Sequence, residues 1–469
     1  QDIIVTEMFP ESEERVKRTA TYESYDFFQF KLKQDYYYQY MRNMVHINNG
    51  DGTFSEMGQQ LGLHATDWSW GGLMFDMDND GLKDFFVATG IMKDLTDQDY
   101  IAFLGDENTM QQMLNGKKFD YHEFVDKMTS TPVPNYAFKN LGNLKFENHA
   151  EDFGLEGPGF SNGAAYADLD NDGDLDLVVN NNDSPVSIYK NKTNEKLQAN
   201  YLKVRLKGYE KNAFGVGAKV CIFQKGEQQV LQQLPNRGFQ SSMDLSLNFG
   251  LGKNTTVDSL VIVWSDDAKQ TLRNVKANQT LTLDHAQAKE KFVYKAPSNP
   301  KPLLVNHTEQ SGWKYTHVEN DFVDYNRDGL LKQKYSTQGP ALAVGDVNGD
   351  GIEDVFIGGS ATQPKQIYLQ TASGRLSLKN MPSFEPYKGF EVVDALFFDA
   401  DGDKDLDLYW VTGSNEFLPN DPQLADCLFL NDGKGNFTYS PTLPTNRTSG
   451  ACAKALDYDL DGDLDLFVG

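Results

Sequence analysis

One nine-residue pattern recurs five times in this chain, and each copy runs straight into an apolar, β-prone stretch. In the first copy Asp76, Asp78, Asp80 and Asp84 lead into Phe85-Phe86-Val87, and in the second Asp168, Asp170, Asp172, Asp174 and Asp176 lead into Leu177-Val178-Val179. The third has Asp346, Asn348, Asp350 and Asp354 before Val355-Phe356-Ile357. The fourth has Asp399, Asp401, Asp403, Asp405 and Asp407, and the fifth has Asp457, Asp459, Asp461, Asp463 and Asp465. The pattern is a loop followed by a strand, and a fold built on it must repeat that unit.

The spacing carries a chemistry. Oxygen atoms at positions 1, 3 and 5 of a tight loop converge on one point, a glycine at position 6 allows the sharp turn, and an acid at position 9 closes the shell. Position 7 (Leu82, Asp174, Ile352, Asp405 and Asp463) can offer its backbone carbonyl. This is the donor set of a Ca²⁺ site, related to the EF-hand loop but with its last acid three positions earlier. Positions 1, 5 and 9 never vary whereas position 7 does, as a backbone ligand allows. Ordinary Asp, Asn and Gly turns would not repeat one spacing five times. We therefore expect about five Ca²⁺ sites. The fourth is the weakest, because Lys404 replaces the glycine and a side chain at positive φ costs about 1–2 kcal/mol. A sixth start, Asp324, Asn326, Asp328 and Gly329, has Lys332 where the closing acid belongs and is not counted.

The five loops hold about a third of the 68 acidic residues, which with 43 Lys and Arg give a formal charge of −25. Nucleic-acid binding, which needs a basic footprint, is excluded, and an anionic membrane surface is disfavoured. With 39% hydrophobic residues the chain can bury real cores. No apolar run approaches the roughly 18 residues that span a bilayer. Cys221, Cys427 and Cys452 allow at most one bridge, with Cys427–Cys452 the better pair, and three buried thiols are the simpler reading. Asp2-Ile3-Ile4-Val5 matches Asp176-Leu177-Val178-Val179, a closing acid and its strand, and the chain stops just after the fifth loop. Both ends are therefore expected to lie inside a longer polypeptide.

First acids at 346, 399 and 457 give a period of roughly 55 residues, that of one small antiparallel sheet per propeller blade. Hairpin signals recur between the loops, at 45–54, 137–146 and 428–437, each with an Asn-Gly or Asp-Gly type turn and a following Phe. Two excursions interrupt the repeats, residues 10–42 and about 93–132, and the second has the helical spacing of Tyr100, Phe103, Leu104, Met110, Met113, Leu114, Phe124 and Met128. They either cap the blades or form a partner or glycan surface. Residues 196–292 lack acidic loops and alternate as strands of a compact antiparallel β domain. A proline-rich linker, 293–302, follows. The expected organisation is all-β: a propeller segment over 1–195 with short helical insertions, the β domain over 196–292, the linker, and a second propeller segment over 303–469.

The acidic loops resemble FG-GAP/VCBS repeats. The segments Asn212 to Val220, Asn248-Phe249-Gly250-Leu251-Gly252-Lys253 and Asp258 to Trp264 look like an ASPIC/UnbV domain. Together they resemble the cartilage-acidic-protein-like family, in the style of Bacteroidetes outer-surface members, to which Asp67-Trp68-Ser69-Trp70 and Tyr335 to Pro340 are also similar. The resemblance implies Ca²⁺-binding β-propellers, a secreted or cell-surface location (the outer membrane surface if bacterial), and roles in adhesion or assembly without an assigned activity. The leading expectation is a non-catalytic binding module for a protein or polysaccharide. The alternatives are a carbohydrate-active enzyme or glycan-binding protein on the same scaffold, which would need two acids outside the loops in a deep pocket, and an accessory subunit of a larger surface complex. Gly159 to Gly163 matches a nucleophile elbow only as a string, because it precedes a strand rather than joining strand to helix. Gly250, Gly252 and Lys253 lack the other residues of a phosphate loop. The seven histidines show no metal-pair spacing.

Overall fold

A computed structural model describes residues 2–19, 24–114, 121–155, 157–294, 303–444 and 446–469. The chain divides into two compact units, Gln1–Pro300 and Lys301–Gly469. The linker prolines at 297, 300 and 302 lie outside the described residues.

The first unit opens with three small antiparallel sheets. One is three-stranded, β1 (Ile3–Val5), β2 (Met44–Asn48) and β3 (Phe54–Glu56); the next is four-stranded, β4 (Ser69–Phe75), β5 (Asp84–Thr89), β6 (Tyr136–Asn140) and β7 (Phe146–Asn148); the third has β8 (Ser161–Ala167), β9 (Asp176–Asn181) and β10 (Ser187–Tyr189). Each sheet is a meander in chain order. Strand β5 shows why its sequence is apolar without alternation. Phe85 and Val87 pack with Val45, Tyr136 and Phe138 on one side, while Phe86 and Ala88 pack with Leu73, Leu175 and Leu177 on the other. A strand buried on both faces belongs to a sheet stacked between two others. Burying each Phe is worth about 1.5–3 kcal/mol.

The second unit repeats the design. Strands β19 (Leu342–Gly345), β20 (Asp354–Ile357), β21 (Gln366–Gln370) and β22 (Leu376–Lys379) form one meander, and β23 (Val392–Phe398), β24 (Asp407–Thr412), β25 (Cys427–Leu430) and β26 (Thr438–Ser440) the next. A pair, β27 (Ala453–Leu456) and β28 (Asp465–Val468), follows. Here β24 is the two-faced strand, with Leu408 and Trp410 in one core and Tyr409 and Val411 in the other. The all-β expectation thus holds at the level of stacked meanders. The closed propeller does not: among the described residues neither unit forms a ring, and the sheets stand as consecutive blades.

The β domain is a sandwich. A three-stranded sheet, β14 (Leu247–Gly252), β11 (Asn200–Lys207) and β17 (Gln279–Asp284), faces a five-stranded one, β13 (Glu227–Gln232), β12 (Lys219–Gln224), β15 (Thr256–Val263), β16 (Ala268–Lys276) and β18 (Glu290–Lys291). Their inner faces meet around Val204, Phe249, Ile262 and Trp264, all buried. The expectation of a purely antiparallel domain needs one correction, because β11 and β17 pair in parallel. The two excursions are helical, with α1 (Glu13–Thr19) and α2 (Tyr25–Lys33) in the first and α3 (Gln98–Gly105), α4 (Glu107–Leu114) and α5 (Tyr121–Lys127) in the second. All three cysteines are free, but only Cys427 is buried; Cys221 is half-buried and Cys452 exposed.

Candidate metal centres

Four of the five loops share one hydrogen-bonding scheme at position 1, the exception being Asp168, which accepts Lys203 Nζ instead. The position-1 carboxylate turns inward and accepts backbone N–H groups of its own loop: Asp80 and Gly81 donate to Asp76, Gly349, Asp350 and Gly351 to Asp346, and Asp461 and Gly462 to Asp457. Position 7 donates its N–H to the position-5 carboxylate, as Leu82 does to Asp80 at 2.8 Å and Ile352 to Asp350 at 2.9 Å. Position 6 has positive φ throughout, and Lys404 adopts it at 76° where its counterparts are glycine. A second requirement is hidden in the sequence. Position 4 also has positive φ in every copy, with Asn79, Asn171, Gly349, Gly402 and, against its steric preference, Leu460.

The closing acid at position 9 does more than complete a ligand shell. One oxygen accepts the N–H of position 2 and the other accepts an N–H at the end of a neighbouring strand. Asp84 takes Met77 (2.8 Å) and Asn140 (2.9 Å), Asp176 takes Leu169 and Asn191, Asp354 takes Val347 and Gln370, and Asp407 takes Ala400 and Asn431. Asp2 accepts the Asn48 N–H in the same way, which supports its reading as a closing acid. The strand-end asparagines in turn latch sheets together. Asn191 Nδ2 donates to Met77 O of the preceding loop at 2.7 Å, and Asn431 Nδ2 to Val347 O at 2.8 Å.

Four loops bring carboxylates together as a cation would require. Oxygens of Asp76, Asp78 and Asp84 lie within 4.8 Å of one another, as do those of Asp168, Asp170 and Asp172, of Asp399, Asp401 and Asp407, and of Asp457, Asp459 and Asp465. The third loop, with Asn348 at position 3, forms no such three-carboxylate group among the described residues. Burial pushes the Asp76 carboxyl up to about 6 and Asp84 to about 7. Burial, reinforced by the neighbouring Asp403, Asp407 and Asp401, raises Asp405 to about 6. Asp78 Oδ1 and Asp168 Oδ1 are buried without a hydrogen-bond partner. Oxygens crowded, desolvated and unpartnered in this way fit a hard divalent cation. Position 7 is less indifferent than its variety suggests: Asp174 is buried, accepts the Asn194 N–H at 3.0 Å, and is raised to about 7 by burial. Asp324, from the uncounted sixth start, is buried and instead accepts Tyr335 and Ser336 N–H groups.

Lysines reach two of the loops. Lys139 Nζ pairs with Asp78 and lies 3.8 Å from Asp80, Lys190 Nζ is 2.5 Å from Asp170 and 3.9 Å from Asp172, and the buried Lys203 Nζ is 2.9 Å from Asp168. The β domain is seated on the same loops. Asn248 Nδ2 donates to Gly173 O at 3.2 Å and Gly252 N–H to Asn79 O at 2.8 Å. A Cβ on Gly250 would meet Asp76 Oδ2 at 2.1 Å and Asn79 Cα at 2.5 Å, so only glycine fits there. Gly250 and Gly252 thus serve strand β14 and its contact with a loop. Ser161, of the elbow-like string, lies inside strand β8 and bonds Asn181 Oδ1.

Two features outside the loops were not legible beforehand. Arg15 of α1 forms paired hydrogen bonds to both Asp67 and Asp94, and Arg18 bonds Asp97 at 2.8 Å, so the first helical excursion is tied to the second. A cavity of about 520 Å³ is lined by Phe75, Leu175, Tyr189, Lys139, Lys190 and Asp152 among others. Its acids are Asp78 of the first loop and Asp152, which is hydrogen-bonded to His149 at 2.6 Å, so it does not supply the two non-loop acids a glycosidase needs.

Comparison with known proteins agrees with the local geometry. An FG-GAP-like repeat model matches residues 33–87 and 346–410, and an ASPIC and UnbV model matches 208–290. Cartilage acidic protein 1 of Xenopus tropicalis is 26% identical over 262 residues, 48% of this chain and 38% of that one. The human protein of the same name is 31% identical over 129 residues, 27% of this chain and 19% of that one. The matches therefore span well under half the length of these relatives. A solved structure of an Agrocybe aegerita lectin that recognises non-reducing terminal N-acetylglucosamine overlaps 90% of this chain and 81% of its own at 13% identity, with a TM-score of 0.22, too small to carry an argument. The chain thus carries FG-GAP-like repeat matches on either side of an ASPIC and UnbV match, and it is homologous to cartilage acidic protein 1.

Proposed function

We propose that this chain is a non-catalytic, extracellular or cell-surface binding module whose blades are pinned by Ca²⁺. The observation that carries the reading is the convergence of three carboxylates within 4.8 Å in each of four loops. Bound Ca²⁺ would neutralise those carboxylates and fix the loop between the first two strands of a sheet. The residues that would hold it are the acids at positions 1, 3, 5 and 9, with the position-7 carbonyl. The presenting surface would be the blade faces or the helical excursions, where Phe27, Phe30, Tyr36, Tyr37, Tyr38 and Tyr40 are exposed, and the partner a protein or polysaccharide. At millimolar Ca²⁺ and a Kd near 0.1 mM each site adds about 1.4 kcal/mol. Melting the chain with 1 mM Ca²⁺ and again with EDTA tests this. A rise in Tm of several degrees with Ca²⁺ is expected, and identical curves would refute it.

A further inference from the structure

The lysines beside the loops sort by unit and by register. Lys139 and Lys190 each occupy the position just before the strand-end asparagine whose N–H caps the closing acid, Asn140 for Asp84 and Asn191 for Asp176. In the second unit the same position, before Gln370 for Asp354 and before Asn431 for Asp407, is leucine, Leu369 and Leu430. Among the described residues no ion pair reaches the loops at Asp346, Asp399 or Asp457. The ammonium groups of Lys139 and Lys190 sit on the position-3 acids Asp78 and Asp170 and near the position-5 acids Asp80 and Asp172. These are the oxygens a divalent cation would use.

We propose that Lys139 and Lys190 are built-in counter-ions that weaken cation binding at their loops and hold those loops together without metal. The chain then has two classes of cation site. The loops at Asp76 and Asp168 are lysine-compensated and weak, whereas the loop at Asp399, with Leu430 at the register position and no ion pair from its own Lys404 among the described residues, is uncompensated, stronger and dependent on metal. This inference rests on the Ca²⁺ reading of the loops. A cation entering a compensated loop must displace the ammonium group or sit beside it, and like charges a few ångströms apart near a protein surface repel strongly. The lysine does not close the site, because Asp78 Oδ1 and Asp168 Oδ1 remain buried and unpartnered. Lys190 is half exposed and its pair better screened, so the larger effect belongs to Lys139, whose side chain is 26% exposed. Lys203, reaching Asp168 from strand β11, adds a further charge at the second loop.

The test is calorimetric titration of Ca²⁺ into metal-free full-length chain, with melting in EDTA alongside. Lys139→Met should tighten one weak equivalent by about tenfold or more and lower Tm in EDTA. Leu430→Lys should move one equivalent from the strong to the weak class and stands as the test if the methionine variant misfolds. A wild-type chain that binds Ca²⁺, with affinities that neither substitution moves, would overturn this inference alone. A wild-type chain that binds no Ca²⁺ would overturn the cation reading and this inference with it.

Discussion

Each acid of a loop has its own task, and the sequence displays the acids without displaying the tasks. Positions 1 and 3 converge in all four carboxylate groups, joined by position 9 in three and by position 5 in one, and position 9 also ties its loop to a neighbouring strand by accepting an N–H from each. The invariance of Asp84, Asp176, Asp354, Asp407 and Asp465 was readable; the double hydrogen-bonding role of the first four was not, because a hydrogen bond to Asn140 or Asn431 depends on a partner strand far along the chain. Positive φ at position 6 was legible through glycine, but at position 4 it is shared by Asn79, Asn171, Gly349, Gly402 and Leu460, a set with no single sequence signature. Glu391 shows the same limit outside the loops. It is buried with both carboxylate oxygens unpartnered, and burial, with repulsion from Glu416 and Glu319, raises it to about 8. The folded chain thus keeps a proton that the unfolded chain releases above about 4.5, so stability falls as pH rises from there toward 8. Glu391→Gln should flatten this decline when Tm is followed from pH 5 to 8 in EDTA, and an unchanged slope would assign the decline to other groups.

At the scale of elements, the loop-then-strand unit was fully legible, since an acidic nonapeptide entering an apolar run specifies where each second strand starts. The run itself, Phe85-Phe86-Val87 or Leu408-Tyr409-Trp410-Val411, reads in the sequence only as an apolar strand, and its burial on two faces emerges from the cores that form on either side of it. Strands β14 and β16 were not separately resolved in the sequence, because the glycines of β14 look like turn residues until Gly250 is seen against Asp76. The position-9 acid gives a test that separates structural from ligand roles. Asp84→Ala leaves the buried N–H groups of Met77 and Asn140 unpaired and should cost about 2–4 kcal/mol even in EDTA. Asp80→Ala, which removes a partly exposed donor, should cost little in EDTA and lower stability mainly when Ca²⁺ is present. Equal losses for both variants in EDTA, read by urea unfolding, would contradict the division of labour.

For the molecule as a whole, two units carry the same blade design with different charge balance. In the first, loops are hydrogen-bonded to the β domain and neutralised in part by Lys139, Lys190 and Lys203. In the second, the carboxylates at Asp399 and Asp457 have no such partner among the described residues, so the formal −25 is compensated unevenly. The repeat count and the β domain between the repeats followed from spacing, but a ring did not follow, since closure depends on contacts between sheets that a period of about 55 residues does not encode. The central claim is that the loops are cation sites. Crystals of the chain grown with Tb³⁺ as a Ca²⁺ substitute, imaged at the terbium absorption edge, test it most directly. Anomalous peaks should stand among the carboxylates of Asp399, Asp401 and Asp407 and of Asp457, Asp459 and Asp465, with weaker ones at Asp76 and Asp168. A map with no peak at any of these four groups would contradict the account.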